Sequence, residues 1–276
     1  NNLDASAFTL GPITLTAGDG DDTLAGSSSN DIIEGGTGND TVYQVSGNDQ
    51  FLSDSVLNGE GNDILYGIDS AILWGNGAAN DIDASAFNAG PVTLMGQGGD
   101  DTLHGSPGDD SLNGGSGLDE LRQVADADQA LTNTTLTGHG TDSHNLLELV
   151  QLTGGSGDNR LDASAFTTGL VTLAGNAGND TLVGGLSNDL LDGGTGTDQV
   201  QQTTNTDQSL SDSQLTGQGT DSLLSIESAV LSGGTAGNLI EATTFSLGPV
   251  TLVGDSGDDT LVGGSGSDWI NGGSGS

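Results

Sequence analysis

The chain has 276 residues and carries 39 Asp plus Glu against two basic residues, Arg122 and Arg160, for a formal charge of -37. Such a chain repels itself unless cations occupy it, and it has almost nothing with which to neutralise phosphates, so nucleic acid is excluded as a partner. Hydrophobic residues are 32% and aromatics 3%, too little for a large globular core and, taken alone, a composition that leans towards disorder.

There is no Cys, which removes disulfides and thiolate metal sites. No apolar run approaches the length of a membrane span, and no signal-peptide pattern is read at the start. The chain opens and closes in mid-pattern, as an excised piece of something longer would.

The first segment, Leu3–Phe8 (LDASAF), returns as Ile82–Phe87, Leu161–Phe166 and Ile240–Phe245 (IEATTF), from 3 to 82 to 161 to 240 without a gap. The chain is therefore expected to be one continuous β-solenoid over 1–276, with repeats 3–81, 82–160 and 161–239 and a partial fourth, 240–276. A GPVTL-like strand follows, with Pro12, Pro91 and Pro249 at its first residue, where a missing N–H costs least. Leu170 stands there in the third repeat.

Ala17–Tyr43 then divides into three nine-residue units: AGDGDDTLA, GSSSNDIIE and GGTGNDTVY. In each, an Asp holds place six and an apolar residue place eight: Asp22 with Leu24, Asp31 with Ile33, Asp40 with Val42. A Gly-rich turn followed by a very short strand fits that pattern. The unit returns with Asp101, Asp110 and Asp119, with Asp180, Asp189 and Asp198, and with Asp259 and Asp268, eleven copies in one register.

After the third unit each repeat loosens. Asp49, Asp128 and Asp207 stand in degenerate units. A GxGxD step follows, ending on Asp63, Asp142 and Asp221, which are left open between ligand and turn residue. A more apolar stretch then carries one acid per repeat, Asp69, Glu148 and Glu227, read as lying on a solvated face, as is the acid of LDASAF. Apolar residues run from Leu15 through Leu24, Ile33, Val42, Leu52, Leu57, Leu65 and Leu73 to Ile82, with steps of eight to ten dominating and one short step from Leu52 to Leu57, and are too closely spaced for helices with loops. Two short strands per coil give about four coils per repeat. Phe8, Phe87, Phe166 and Phe245 recur once per repeat and are read as core filler rather than a ligand face.

The nonapeptide resembles the RTX (repeats-in-toxin, hemolysin-type) calcium-binding repeat, GGxGxDxUx, of which eleven in-register copies are a strong signal. The resemblance implies an all-β, right-handed parallel β-roll. It implies multiple Ca2+ ions held at the turns by Asp22, Asp31, Asp40, Asp101, Asp110, Asp119, Asp180, Asp189, Asp198, Asp259 and Asp268 together with backbone carbonyls. The chemistry agrees: calcium takes six to eight oxygens in irregular geometry, whereas magnesium demands a tight octahedron and zinc prefers nitrogen and sulfur. Units two apart should share a side, pairing Asp22 with Asp40, Asp101 with Asp119 and Asp180 with Asp198. The turns at Gly26–Ser29 and Gly105–Gly108 depart from the pattern, and sites using them are expected to be weak or empty.

No catalytic constellation is visible. His104, His139 and His144 do not recur between repeats, and Ser164 lies outside any GxSxG elbow. The chain is read as no enzyme but as a calcium-binding structural module of a large secreted or cell-surface bacterial protein, such as an adhesin, surface-layer or filament component; the resemblance to RTX proteins implies export unfolded by type I secretion and folding in external calcium. The alternative is the calcium-binding C-terminal tail of a type I-secreted enzyme or toxin. Calcium ions are the expected partners, with no nucleic acid and no membrane span. Lateral or end-to-end self-association, or a surface ligand, is left open.

Overall fold

A computed structural model describes residues 1–275. Every regular element among them is a strand, and no helix is long and apolar enough to cross a membrane. The chain divides into two compact units, Asn1–Gln123 with Thr134–Leu149, and Val124–Asn133 with the chain from Val150 on.

In the first unit, Asn2–Asp4, Thr23–Ala25, Thr41–Val45, Ser70–Trp74, Val92–Gly98, Ser111–Ser116 and Thr141–Asn145 form a parallel sheet in that order. Thr14–Asp19, Ile32–Thr37, Asp81–Ala86, Thr102–His104 and Glu120–Val124 belong to the opposing sheet. The chain alternates between the two at every nonapeptide, because each five-residue turn reverses it and leaves room for only a short strand. Leu24, Ile33, Val42, Leu73, Ile82, Leu94 and Leu103, at one position per half-turn, are fully buried between the sheets. A core this thin suits a chain so poor in apolar residues: the side-chain alternation of each strand puts one or two residues inside and the polar ones out.

The second unit repeats the plan. Arg160–Ala165, Thr181–Val183, Gln199–Thr203, Ser228–Ser232, Val250–Val253 and Trp269–Asn271 pair in parallel. They face a sheet containing Leu170–Ala174, Leu190–Asp192, Leu239–Thr244 and Thr260–Val262.

The parallel β-roll and the two strands per coil are as the sequence predicts. The coil count is three and a half per repeat, because Leu52, Leu57 and Leu65 do not mark separate half-turns. Gln50–Ser53, Val56–Gly59 and Gly61–Tyr66 form an antiparallel meander inside one sheet, and its outer strands run parallel to Asp81–Ala86 and Ile32–Thr37. Gln208–Ser211, Gln214–Gly217 and Gly219–Leu224 do the same in the second unit. Each repeat therefore makes seven half-turns, and consecutive LDASAF strands fall in opposite sheets of their unit, Asn2–Asp4 against Asp81–Ala86 and Arg160–Ala165 against Leu239–Thr244. Phe87, Phe166 and Phe245 are buried core residues, while Phe8 is 40% exposed.

Candidate metal centre

The nonapeptide turns are of two kinds. In Ala17–Asp22, Gly35–Asp40, Gly96–Asp101, Gly114–Asp119, Gly175–Asp180, Gly193–Asp198 and Gly254–Asp259, places two and four have positive φ. Place two is Gln97, Asn176 or Asp255 in three of them, with φ between 63° and 73°, a conformation that costs a non-Gly residue about 1 kcal/mol or more. Place four is always Gly, and a Cβ on Gly117 or Gly196 would fall on the carbonyl of Gly99 or Gly178 in the neighbouring coil. The turns Gly26–Asp31, Gly105–Asp110, Gly184–Asp189 and Gly263–Asp268 contain no positive φ.

The two kinds treat the place-six Asp differently. In the first, the Asp carboxylate accepts the amide of the residue one coil back through Oδ1: Asp22 N to Asp40 at 2.9 Å, Asp101 N to Asp119 at 2.9 Å and Asp180 N to Asp198 at 2.7 Å. These are the three pairs expected to share a side. The second oxygen, Oδ2, is buried and without any hydrogen-bond partner in Asp22, Asp40, Asp101, Asp119, Asp180, Asp198 and Asp259. Burial pushes the pKa of Asp101, Asp119, Asp180 and Asp198 upward, with the donated backbone amides pulling the other way.

In three turns of the second kind, those of Asp31, Asp110 and Asp189, the carboxylate is consumed by its own turn. Ser106 N and Oγ donate to Asp110 Oδ2 and Oδ1 at 2.6 and 2.8 Å, Ser27 does the same to Asp31, and Gly185 N donates to Asp189 Oδ2. Oδ1 of Asp31, Asp110, Asp189 and Asp268 also accepts the amide of Ile13, Val92, Val171 and Val250. Asp31, Asp110 and Asp189 pair onward with Asp63, Asp142 and Asp221, not with Asp49, Asp128 and Asp207. Burial raises the pKa of Asp63 to about 6 and of Asp142 and Asp221 to about 7.

Some ladder members escaped the sequence reading. Asp69, Glu148 and Glu227 are half-buried rather than solvated, and each accepts the amide of the last Asp in its ladder: Asp40, Asp119 or Asp198. Asn80, Asn159 and Asn238 are buried at the other end and donate their amides to Asp101, Asp180 and Asp259. Their signal was in plain view: GNGAANDID, GGSGDNRLD and GGTAGNLIE are nine-residue units with Asn at place six. The LDASAF acids Asp4, Asp83 and Asp162 cap their own strand ends through the amides of Ser6, Ser85 and Ser164.

Among the described residues no three His, Cys, Asp or Glu side chains converge as a metal cluster. The turns of the first kind that begin with Gly offer instead an orphaned carboxylate oxygen beside a backbone carbonyl. A Cβ on Gly96 would strike both Asp101 Oδ2 and the carbonyl of Gly114, and one on Gly175 both Asp180 Oδ2 and the carbonyl of Gly193. An all-oxygen donor set with uncancelled negative charge fits a hard cation such as calcium. The arginines do not reach it: Arg122 pairs with Glu120 and Arg160 with Asp162, both at 2.8 Å.

The family model for the RTX calcium-binding nonapeptide repeat matches in four copies, at residues 14–51, 93–121, 172–200 and 251–276. The chain carries RTX repeats. Repeats of this family bind calcium and are structural rather than catalytic. The matched blocks contain all eleven place-six Asp residues of the RTX units; Asp69, Glu148 and Glu227 and the three Asn lie outside them. No curated protein matches the chain.

Proposed function

We propose that this RTX chain is a calcium-stiffened structural module of a secreted or cell-surface bacterial protein, an adhesin, surface-layer or filament component, which folds when it meets calcium outside the cell. The observation that carries this reading is the set of seven place-six carboxylates with one oxygen buried and unpartnered. An unpaired buried polar atom costs about 1–3 kcal/mol, and a charged one more. Seven of them would together rival the whole stability of a typical domain, about 5–15 kcal/mol. Calcium at those turns removes the cost, so folding and binding are one process.

Of the eleven place-six Asp residues, those in turns with two positive φ values are proposed as ligands: Asp22, Asp40, Asp101, Asp119, Asp180, Asp198 and Asp259. Asp31, Asp110 and Asp189 are proposed to close their turns, since both of their oxygens are already engaged. Far-UV circular dichroism during a calcium titration tests the coupling. The β signal is expected to appear with calcium; a full β signal in excess chelator would refute it.

A further inference from the structure

The calcium ladder of each repeat ends on an element that is not a nonapeptide. In the second repeat it is Leu146-Leu147-Glu148. Leu146 is 56% exposed and holds φ at 52°, in the left-handed region. A bulky residue rarely sits there without a structural demand. The demand is visible in where its carbonyl goes. A Cβ on Gly114 would strike the Leu146 carbonyl and Asp119 Oδ2, just as a Cβ on Gly96 would strike the Gly114 carbonyl and Asp101 Oδ2. The Leu146 carbonyl thus takes, over the last nonapeptide turn, the place that each turn's first carbonyl takes over the one before.

The carboxylates repeat the substitution. Glu148 Oε2 accepts the Asp119 amide at 3.1 Å, as Asp119 Oδ1 accepts that of Asp101. Asp119 is itself fully buried, and its Oδ2 has no partner. The arrangement recurs in the other repeats. Gly67, with φ at 56°, and Asp69 stand over Gly35 and Asp40; Ser225, with φ at 52°, and Glu227 stand over Gly193 and Asp198. Asp40 and Asp198 are fully buried with an orphaned Oδ2.

We propose that 67–69, 146–148 and 225–227 each close a further calcium site against the last nonapeptide turn of the ladder. The ligands are the carbonyl of Gly67, Leu146 or Ser225, the carboxylate of Asp69, Glu148 or Glu227, and the buried oxygen of Asp40, Asp119 or Asp198. The inference rests on calcium binding at the nonapeptides and adds a site built half from outside them. It also gives a function to a non-Gly residue in the left-handed region at Leu146 and Ser225.

The test compares the full chain with the triple variant Asp69→Asn, Glu148→Gln, Glu227→Gln. These changes keep an acceptor for the amides of Asp40, Asp119 and Asp198 and remove only the charge. Equilibrium dialysis with 45Ca is expected to show the variant binding three fewer ions per chain while retaining those between nonapeptide turns. Equal stoichiometry in the two would overturn the inference and leave the nonapeptide sites standing. Absence of binding in the parent would overturn both. Should the variant fail to fold, crystals of the parent grown with calcium decide: anomalous density beside the carbonyls of Gly67, Leu146 and Ser225 supports the sites, and density confined to the turns before them refutes them.

Discussion

The amide of Asp22 donates to Oδ1 of Asp40 at 2.9 Å, and the other oxygen of Asp40 is buried with no partner. One carboxylate thus does two things. It ties successive coils together through the backbone, and it points bare charge into a turn whose carbonyls face the same place. The hydrogen bond alone is a modest stabiliser, about 1 kcal/mol net. The unpaired oxygen works against the fold until a cation meets it.

The two kinds of turn therefore separate by substitution. Asp101→Asn keeps the acceptor for the Asn80 amide but removes charge from a turn with an orphaned oxygen. Its melting temperature is expected to respond less to calcium than that of the parent. Asp110→Asn instead places an amide NH2 where either Ser106 or Val92 now donates. It should destabilise the protein by about 1–3 kcal/mol while leaving the calcium response intact. Thermal melts at a low and a saturating calcium concentration distinguish them, and a loss of calcium response in Asp110→Asn would contradict the assignment.

Much of this was legible in the sequence because the repeat writes it eleven times. Place six and place eight give the turn, the strand and the pairing of Asp22 with Asp40, since a unit of nine residues must reverse the chain and return two units later. The meander was not legible. Leu57, Leu65 and Leu73 keep the eight-residue steps of the coils, and the one short step, from Leu52 to Leu57, does not by itself distinguish a third strand in one sheet from another half-turn. The ladder ends were hidden for a different reason. Glu148 follows two leucines in a stretch that reads as core, and its role is set by Leu146 turning left-handed, a backbone choice that a leucine does not advertise.

Protonation should act on the second ladder. Asp142 and Asp221 have pKa values raised by burial to about 7 and Asp63 to about 6, against 3.8 for the ordinary group, with Asp110, Asp189 and Asp31 facing them. A folded-state pKa above the unfolded one means that the folded chain holds the proton more tightly. The contribution is complete below about pH 4 and is lost as pH rises through 6 to 7. Asp221→Asn keeps the acceptor for the Asp189 amide without a charge to bury. At saturating calcium it is expected to be more stable than the parent at pH 7.5, by about 1–3 kcal/mol, with the gap closing towards pH 5. A variant less stable than the parent at both pH values would contradict the burial argument.

The left-handed residues give a stability test independent of metal charge. Leu146→Gly removes a largely exposed side chain from φ 52°, and the first repeat already has Gly67 at that position, with φ 56°. The substitution should stabilise the calcium-loaded protein by about 1 kcal/mol, the relief of left-handed strain exceeding the added freedom of the unfolded chain. Gly114→Ala should do the opposite, since its Cβ would meet the Leu146 carbonyl and Asp119. Denaturant titrations at saturating calcium read both; a destabilised Leu146→Gly would mean that the leucine side chain, and not the carbonyl position, holds 146–148 in place.

The core phenylalanines are equivalent in sequence and unequal in the fold. Phe87 is fully buried behind the strand Asp81–Ala86, which pairs on both sides, with Gln50–Ser53 and with Thr102–His104. The next residue, Asn88, is tied by its amide to Asp54 of the meander. Phe8 is 40% exposed beside the strand Asn2–Asp4, whose pairing is with Thr23–Ala25. Truncating a fully buried Phe costs about 3–5 kcal/mol, so Phe87→Ala should lower the unfolding free energy by that amount and Phe8→Ala by a small fraction of it. Equal losses in urea titrations at saturating calcium would show that Phe8 is enclosed in solution, and that the meander does not decide which of these rings is covered.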